Sequence, residues 1–134
     1  MSKTAGETNL DMLLKNMKPF LNEGDYVFCT IHKQELLTLD DVLLFFKEKE
    51  TDTIIVKKEF ADKNMLTCSS VMAWITLTVH SSLEAVGLTA AFSTALAKEE
   101  ISCNVIAGFC HDHIFIPKKD VSKAMNILNR FAEN

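Results

Sequence analysis

Residues 73–117 read AWITLTVHSSLEAVGLTAAFSTALAKEEISCNVIAGFCHDHIFIP, and three changes of rhythm inside them decide the fold. From Trp74 the chain alternates: Ile75, Leu77 and Val79 take one face, while Trp74, Thr76, Thr78 and His80 take the other. That is the period of a strand with one face on helices and one half-polar face open to a ligand or a partner. Ser81-Ser82-Leu83-Glu84 has the spacing of a capping box. A helix starting there would carry Gly87 in its interior at about 1 kcal/mol relative to alanine. The preferred reading makes 81–86 an irregular turn and starts the helix at Gly87, in close approach to another group. Leu88, Ala91, Phe92, Ala95 and Leu96 then form the buried stripe. After Glu99-Glu100, residues 101–109 read as a second strand, with Gly108 marking a bulge or a close backbone contact. Beyond a turn at His111-Asp112, Ile114 and Ile116 face the core of a third strand and Pro117 stops it. Asp120 is expected to cap a last helix with the stripe Val121, Ala124, Met125, Leu128 and Phe131.

Strand, helix, strand, strand, helix has few foldings. A right-handed crossover makes the first two strands parallel, and the hairpin return strand fits between them. The end of the first strand at His80, the helix start at Gly87 and the hairpin tip Cys110-His111-Asp112-His113 then share one edge of the sheet. Helix starts offer free amides and partial positive charge, which suit a carboxylate. Serine hydroxyls, imidazoles and Asp112 beside them could hold an ammonium group. An amphoteric small molecule such as an amino acid fits this mixture.

Working outward, Leu10, Leu13, Leu14 and Met17 form a helical stripe, with Thr8 or Asn9 as N-cap and Pro19 marking its end. Residues 26–31, YVFCTI, are apolar at nearly every position and read as a strand buried on both faces. A polar connection covers 32–41. Residues 42–49 and 53–56 read as a hairpin around Glu50-Thr51-Asp52, followed by a short helix over 58–65. Two halves are expected, 1–70 and 71–134, with the boundary in 64–70.

With 134 residues, 48% hydrophobic and 24% charged, a packed core is expected and disorder is not. A net charge of −4 gives no reason to bind nucleic acid. The polar start and short apolar runs argue against a signal peptide or a membrane span, so cytoplasmic residence is the default. Cys29, Cys68, Cys103 and Cys110 lack C-x-x-C spacing and mostly sit in apolar runs, as small buried hydrophobes do.

The order βαββα, with VHSSLEAVGLTAAFSTAL, ISCNVIAG and HDHIFIP, and with EGDYVFCTI nearer the N-terminus, resembles small stand-alone tandem ACT-domain proteins. The resemblance implies an α+β fold of ferredoxin-like, ACT-type βαββαβ units, two intertwined halves with antiparallel sheets and helices on one face. It also implies a regulatory, non-catalytic protein that binds a small effector, an amino acid in the best-known cases, with no cofactor. The effector would lie at the first strand-to-helix turn, at His80, Ser81, Ser82, Leu83, Val86, Gly87 and Leu88, facing Asn104, Val105 and Ile106. His111, Asp112 and His113 join that site from the shared edge. The loop Glu84-Ala85-Val86 departs from the aspartate and proline that ACT loops commonly carry before the glycine. After the last helix too few residues remain for a fourth strand, so the N-terminal half must supply it, with 26–31 as the expected donor.

Two other functions compete. His111 and His113 share a strand face, and His80 could complete a transition-metal set. A partner-binding module with no small ligand is the other alternative. Catalysis fits less well, because Cys110 and His111 are adjacent strand residues that point to opposite faces. A homodimer is expected, since the 101–110 strand is an apolar sheet edge.

Overall fold

The computed structural model describes residues 9–33 and 38–133. In chain order its helices and strands are α1 (Leu10–Asn16), β1 (Pro19–Leu21), β2 (Tyr26–His32), β3 (Leu44–Lys47), β4 (Thr51–Lys57), α2 (Lys58–Lys63), β5 (Thr67–Cys68), β6 (Met72–Leu77), α3 (Leu88–Ala97), β7 (Asn104–Ala107), β8 (Asp112–Pro117) and α4 (Val121–Asn129). The class is α+β, as expected. The chain divides into two compact units, one of residues 1–23 with 73–134 and one of residues 24–72.

In the larger unit β8 lies between β6 and β7, as the crossover rule requires. β7 and β8 are antiparallel, with Ile106 opposite His113. The fourth strand is β1, antiparallel to β6 with Pro19 opposite Leu77 and Leu21 opposite Ile75. This corrects the expectation that 26–31 would supply it. β2 has β4 along one edge, from Tyr26 opposite Lys57 to His32 opposite Thr51, and β5 on the other. Three residues suffice for β1 because side chains reinforce it: Asn22 Nδ2 donates to Thr76 Oγ1 at 2.9 Å, and Thr78 Oγ1 donates to the Lys18 carbonyl at 2.7 Å. Pro19, lacking an N–H, opens this strand, where such a residue is tolerated.

The helices cover one face of this sheet. Leu13, Met17, Ile75, Leu77, Leu88, Phe92, Leu96, Ile114, Ile116, Ala124 and Leu128 belong to one buried cluster. Each large side chain among them contributes about 1.5–3 kcal/mol of burial. α3 buries Leu88, Phe92 and Leu96 at i, i+4 and i+8, the spacing that keeps one face inward. It ends in a Schellman motif: Glu100 takes a φ of +60°, Glu100 N donates to Ala97 O, and Ile101 N donates to Leu96 O. Ile101 and Leu96 are both buried and supply the apolar contact of that motif. Asp120 stands at the N-cap of α4 but makes no side-chain cap bond there. Its carboxylate meets the Lys119 ammonium instead.

In the smaller unit the strand order is β3, β4, β2, and β5 pairs with β2 on its other side. The expected hairpin is present as β3 and β4. β2 is buried along one face and only at its start on the other: Val27, Cys29 and Ile31 are buried on the first and Tyr26 on the second, where Thr30 and His32 are exposed. Among the described residues one short helix, α2, covers the first face through Ala61, while on the second Ile55 of β4 is buried along with Tyr26. α2 repeats the Schellman ending, with Met65 at φ +53° and Leu66 N donating to Ala61 O.

Candidate functional site

The edge expected to gather the site is built by the way β6 ends. Thr78 N donates to Lys18 O and Val79 N donates to Leu77 O, an i to i+2 bond that turns the chain out of the sheet. The strand therefore stops at Leu77, short of His80, although Val79 still packs on the core. Within 81–86, Ser82 Oγ accepts from Glu84 N at 3.0 Å, and Ala85 N donates to Ser82 O. Ser82 thus shapes a turn, and the capping-box alternative is not realised.

α3 opens on Gly87, at φ +101° and with no side-chain cap. A β-carbon there would meet Leu10 Cδ2 at 2.9 Å. The close approach inferred from the sequence is real, and its partner is a leucine of α1. Gly108 has the other close approach. Its N–H donates to His111 O at 2.9 Å, and a β-carbon would meet that same oxygen at 2.9 Å. The glycine lets the β7–β8 hairpin close tightly.

Beyond the end of β6, the His80 ring lies 6.4 Å from that of Phe109, just before the expected tip at Cys110 to His113. Leu83, Val86 and Phe109 are 60%, 83% and 64% exposed. His111 and His113 are also neighbours, with ring centroids 6.5 Å apart. The sheet divides the remaining residues. Asp112 is buried with β8's core-facing side chains, as is Ser81. Val105 packs on the core cluster, whereas Ile106 stands opposite His113. Asn104 spends its amide on the Phe115 carbonyl at 3.1 Å.

His113 is the best-held side chain of the set. Trp74 Nε1 donates to its Nδ1 at 3.0 Å, and Thr76 Oγ1 lies 3.0 Å from the same nitrogen. Thr76 already accepts from Asn22, so its hydroxyl proton is free to point at the imidazole. The indole donor makes Nδ1 an acceptor and leaves the proton on Nε2. Burial lowers the His113 pKa from 6.5, the His111 charge lowers it further, and Asp112 partly opposes them. Burial also raises the Asp112 pKa from 3.8, against the pull of His113. Phe115 stacks on Trp74, with ring centroids 6.2 Å apart.

Trp74, Thr76 and Asn22 as holders of His113 were not anticipated. Alternation had placed Trp74 and Thr76 on the open face, but their pairing with His113 depends on β6 and β8 being neighbours. Among the described residues no group of three or more His, Cys, Asp and Glu side chains is placed to hold a metal ion. A second concave feature was also missed: a cleft of about 610 Å³ in the smaller unit, lined by Tyr26, Asp40, Asp41, Lys57, Glu59, Phe60 and Lys63 among others. Its residues come from three separate stretches, Tyr26, 40–43 and 57–63, so no local motif announces it.

Two protein-family models, each described as ACT domain, match residues 5–73 and 69–130. A crystal structure from Vibrio cholerae, described as a protein of unknown function and possible transport protein, is 47% identical, with 92% of this chain and 95% of that one covered and a TM-score of 0.82. A protein from Agrobacterium tumefaciens shares the fold at 12% identity, covering 87% and 89% of the two chains with a TM-score of 0.72. The regulatory subunit of aspartate kinase from Thermus flavus does so at 11% identity, covering 85% and 96%, with a TM-score of 0.61. No curated protein matches the chain in sequence.

Proposed function

The chain belongs to the ACT-domain family, and on that premise we propose that it is a regulatory module that binds an amino acid at the 80–88 turn and carries out no catalysis of its own. The observation that supports this most directly is the opening of α3 at Gly87 with no side-chain cap. The first amides of a ten-residue helix are left for a carboxylate there. His80, Ser81, Ser82, Leu83, Val86, Gly87 and Leu88 form the turn, and Asn104, Val105 and Ile106 the facing strand. His111, Asp112 and His113 flank it from the hairpin. The relation to an aspartate kinase regulatory subunit is one of fold, and the ligand assignment rests on the family and on the chemistry of this edge.

A transition-metal role for His80, His111 and His113 receives less support, because the indole donor on His113 Nδ1 leaves the proton on Nε2 and neither ring nitrogen a free lone pair. Four free cysteines accord with a cytoplasmic protein. Among the described residues no helix is long and apolar enough to cross a membrane. Homodimer formation belongs to the same reading, through the β7 edge, and a solution mass of one chain by light scattering removes it.

The test of ligand binding is a thermal-shift and calorimetry series with the twenty amino acids and with nickel and zinc as separate arms. At least one amino acid is expected to raise the melting temperature, and Gly87→Ala to weaken its binding at least tenfold. A set of amino acids that leaves the melting temperature unmoved overturns the reading. Stabilisation by metal alone, lost in His111→Ala, transfers the site to the metal alternative.

A further inference from the structure

Of the four cysteines, Cys29 and Cys68 form a pair. They are directly opposed across the antiparallel β2 and β5, and their sulfurs lie 2.9 Å apart. The neighbouring position shows which kind of cross-strand pair this is. Ser69 N donates to Phe28 O at 2.8 Å, and Phe28 N donates to Ser69 Oγ at 3.0 Å. Residues 28 and 69 therefore take the hydrogen-bonded position, and residues 29 and 68 the non-bonded one. At such positions the α-carbons approach to about 4.5 Å and the side chains are at their closest. That lies inside the range of about 4.4–6.8 Å over which a disulfide closes without moving backbone. The two thiols also differ in access. Cys29 is 3% exposed, whereas Cys68 is on the surface. The Cys29 S–H points at the Cys68 sulfur, and the Cys68 S–H points at the Leu66 carbonyl at 3.1 Å.

We propose that Cys29 and Cys68 form a reversible dithiol–disulfide couple, oxidised by low-molecular-weight disulfides, that locks β5 onto β2. The exposed Cys68, as thiolate, attacks one sulfur of the small disulfide. The S–S bond of that molecule breaks, and one small thiolate leaves and takes up the proton Cys68 released. Cys29 then gives up its proton and attacks the Cys68 sulfur. The mixed disulfide breaks, and the second small thiolate leaves and takes up that proton. The protein has lost two hydrogens and the small disulfide has become two thiols, so electrons and atoms balance. Burial first, then the hydrogen bond and charge of Cys68, push the Cys29 thiol up to about 12. The part of that shift due to burial persists in the mixed disulfide, so ring closure by Cys29 speeds up as the pH rises, because the thiolate reacts. Cys103 and Cys110 show no such partner among the described residues, and burial pushes the Cys103 thiol up to about 11.

The couple ties a surface strand of two residues to a central strand of the smaller unit, immediately before the chain runs through residues 69–71 into β6. In a compartment that keeps thiols reduced, such a bond serves sensing and not permanent support.

The test uses the reduced full-length chain, folded and without denaturant, exposed to excess oxidised glutathione and mapped by non-reducing peptide mass spectrometry. The expected product is lighter by about 2 Da, with the Cys29 and Cys68 peptides joined, and it reverts with dithiothreitol. Its melting temperature is raised by several degrees. In Cys29→Ala the adduct of glutathione stays on Cys68, and in Cys68→Ser Cys29 takes up none. Should Cys29→Ala fail to fold, the wild-type peptide map decides alone. A wild-type chain that keeps a lasting adduct on Cys68 with Cys29 free overturns the proposal, as does a bond to Cys103 or Cys110, or survival of all four thiols.

Discussion

The two units carry out the same strand programme with unequal means. In each, the third strand lies between the first and second, and a short fourth strand pairs with the first: β1 beside β6 in one unit, β5 beside β2 in the other. The larger unit covers its sheet with three helices and a cluster that includes Phe92, Leu88, Leu96 and Leu128. The smaller has one six-residue helix and a cluster of Val27, Cys29, Ile31, Ile54, Val56 and Ala61. Where α3 stands in the larger unit, a 3-10 turn, Leu39–Asp41, follows β2 in the smaller. The difference teaches that, among the described residues, the smaller unit keeps the strand order of the larger one without a counterpart of α3.

The largest expected effect probes the better-covered unit. Phe92→Ala removes a side chain with no exposure and should destabilise by about 3–5 kcal/mol. Ile54→Val in the smaller cluster should lose only about 0.5–1.5 kcal/mol. Urea titration followed by Trp74 fluorescence and by circular dichroism measures both, and equal losses would break the contrast in packing.

Gly87→Ala comes next, at about 1–3 kcal/mol, because a left-handed φ and a 2.9 Å approach to Leu10 act together. Loss of the double variant Gly87→Ala, Leu10→Ala at the sum of its single effects would show that the approach to Leu10 does not matter.

The Schellman endings sharpen what the units share. Glu100 and Met65 hold left-handed φ values that glycine adopts freely, so Glu100→Gly and Met65→Gly should each stabilise by about 0.5–1 kcal/mol. Thermal melts that rise for one variant and fall for the other would mean that the two helix ends are not equivalent.

The smallest effect is a pH dependence belonging to the larger unit alone. With the folded pKa of His113 below 6.5, the unfolded chain binds the proton more readily. Stability is therefore full above pH 6.5 and falls as the pH drops toward the folded pKa. Asp112, raised above 3.8, acts in the opposite sense at lower pH: its burial penalty is relieved as the pH falls through its folded pKa toward 3.8. His113→Asn, which keeps an acceptor for Trp74, should flatten the upper segment in stability measured from pH 5 to 8. An unchanged slope would assign it to another group.

Much of this was legible in residues 73–117. Alternation at Ile75 and Leu77, the stripe Leu88, Phe92 and Leu96, and the glycines at 87 and 108 all express local geometry, which sequence periodicity carries directly. Ile127 escaped the expected α4 stripe although it is buried, because a helix flanked by neighbours on two sides buries more than one row. The holders of His113 and the cleft beside Tyr26 were not legible, since their residues meet only through strand order.

Sequence alone determined the α+β class, the βαββα order of the C-terminal stretch and the family. The class and the order follow from side-chain period and from the handedness of a crossover, which leave few choices, and the family from the resemblance of the quoted motifs. Tertiary structure decided that residues 19–21 complete the sheet of the larger unit, that Leu10 is what Gly87 makes room for, and that Cys29 faces Cys68. Those depend on which strand edges remain unpaired once every other strand is placed, a competition between distant segments that no local pattern records.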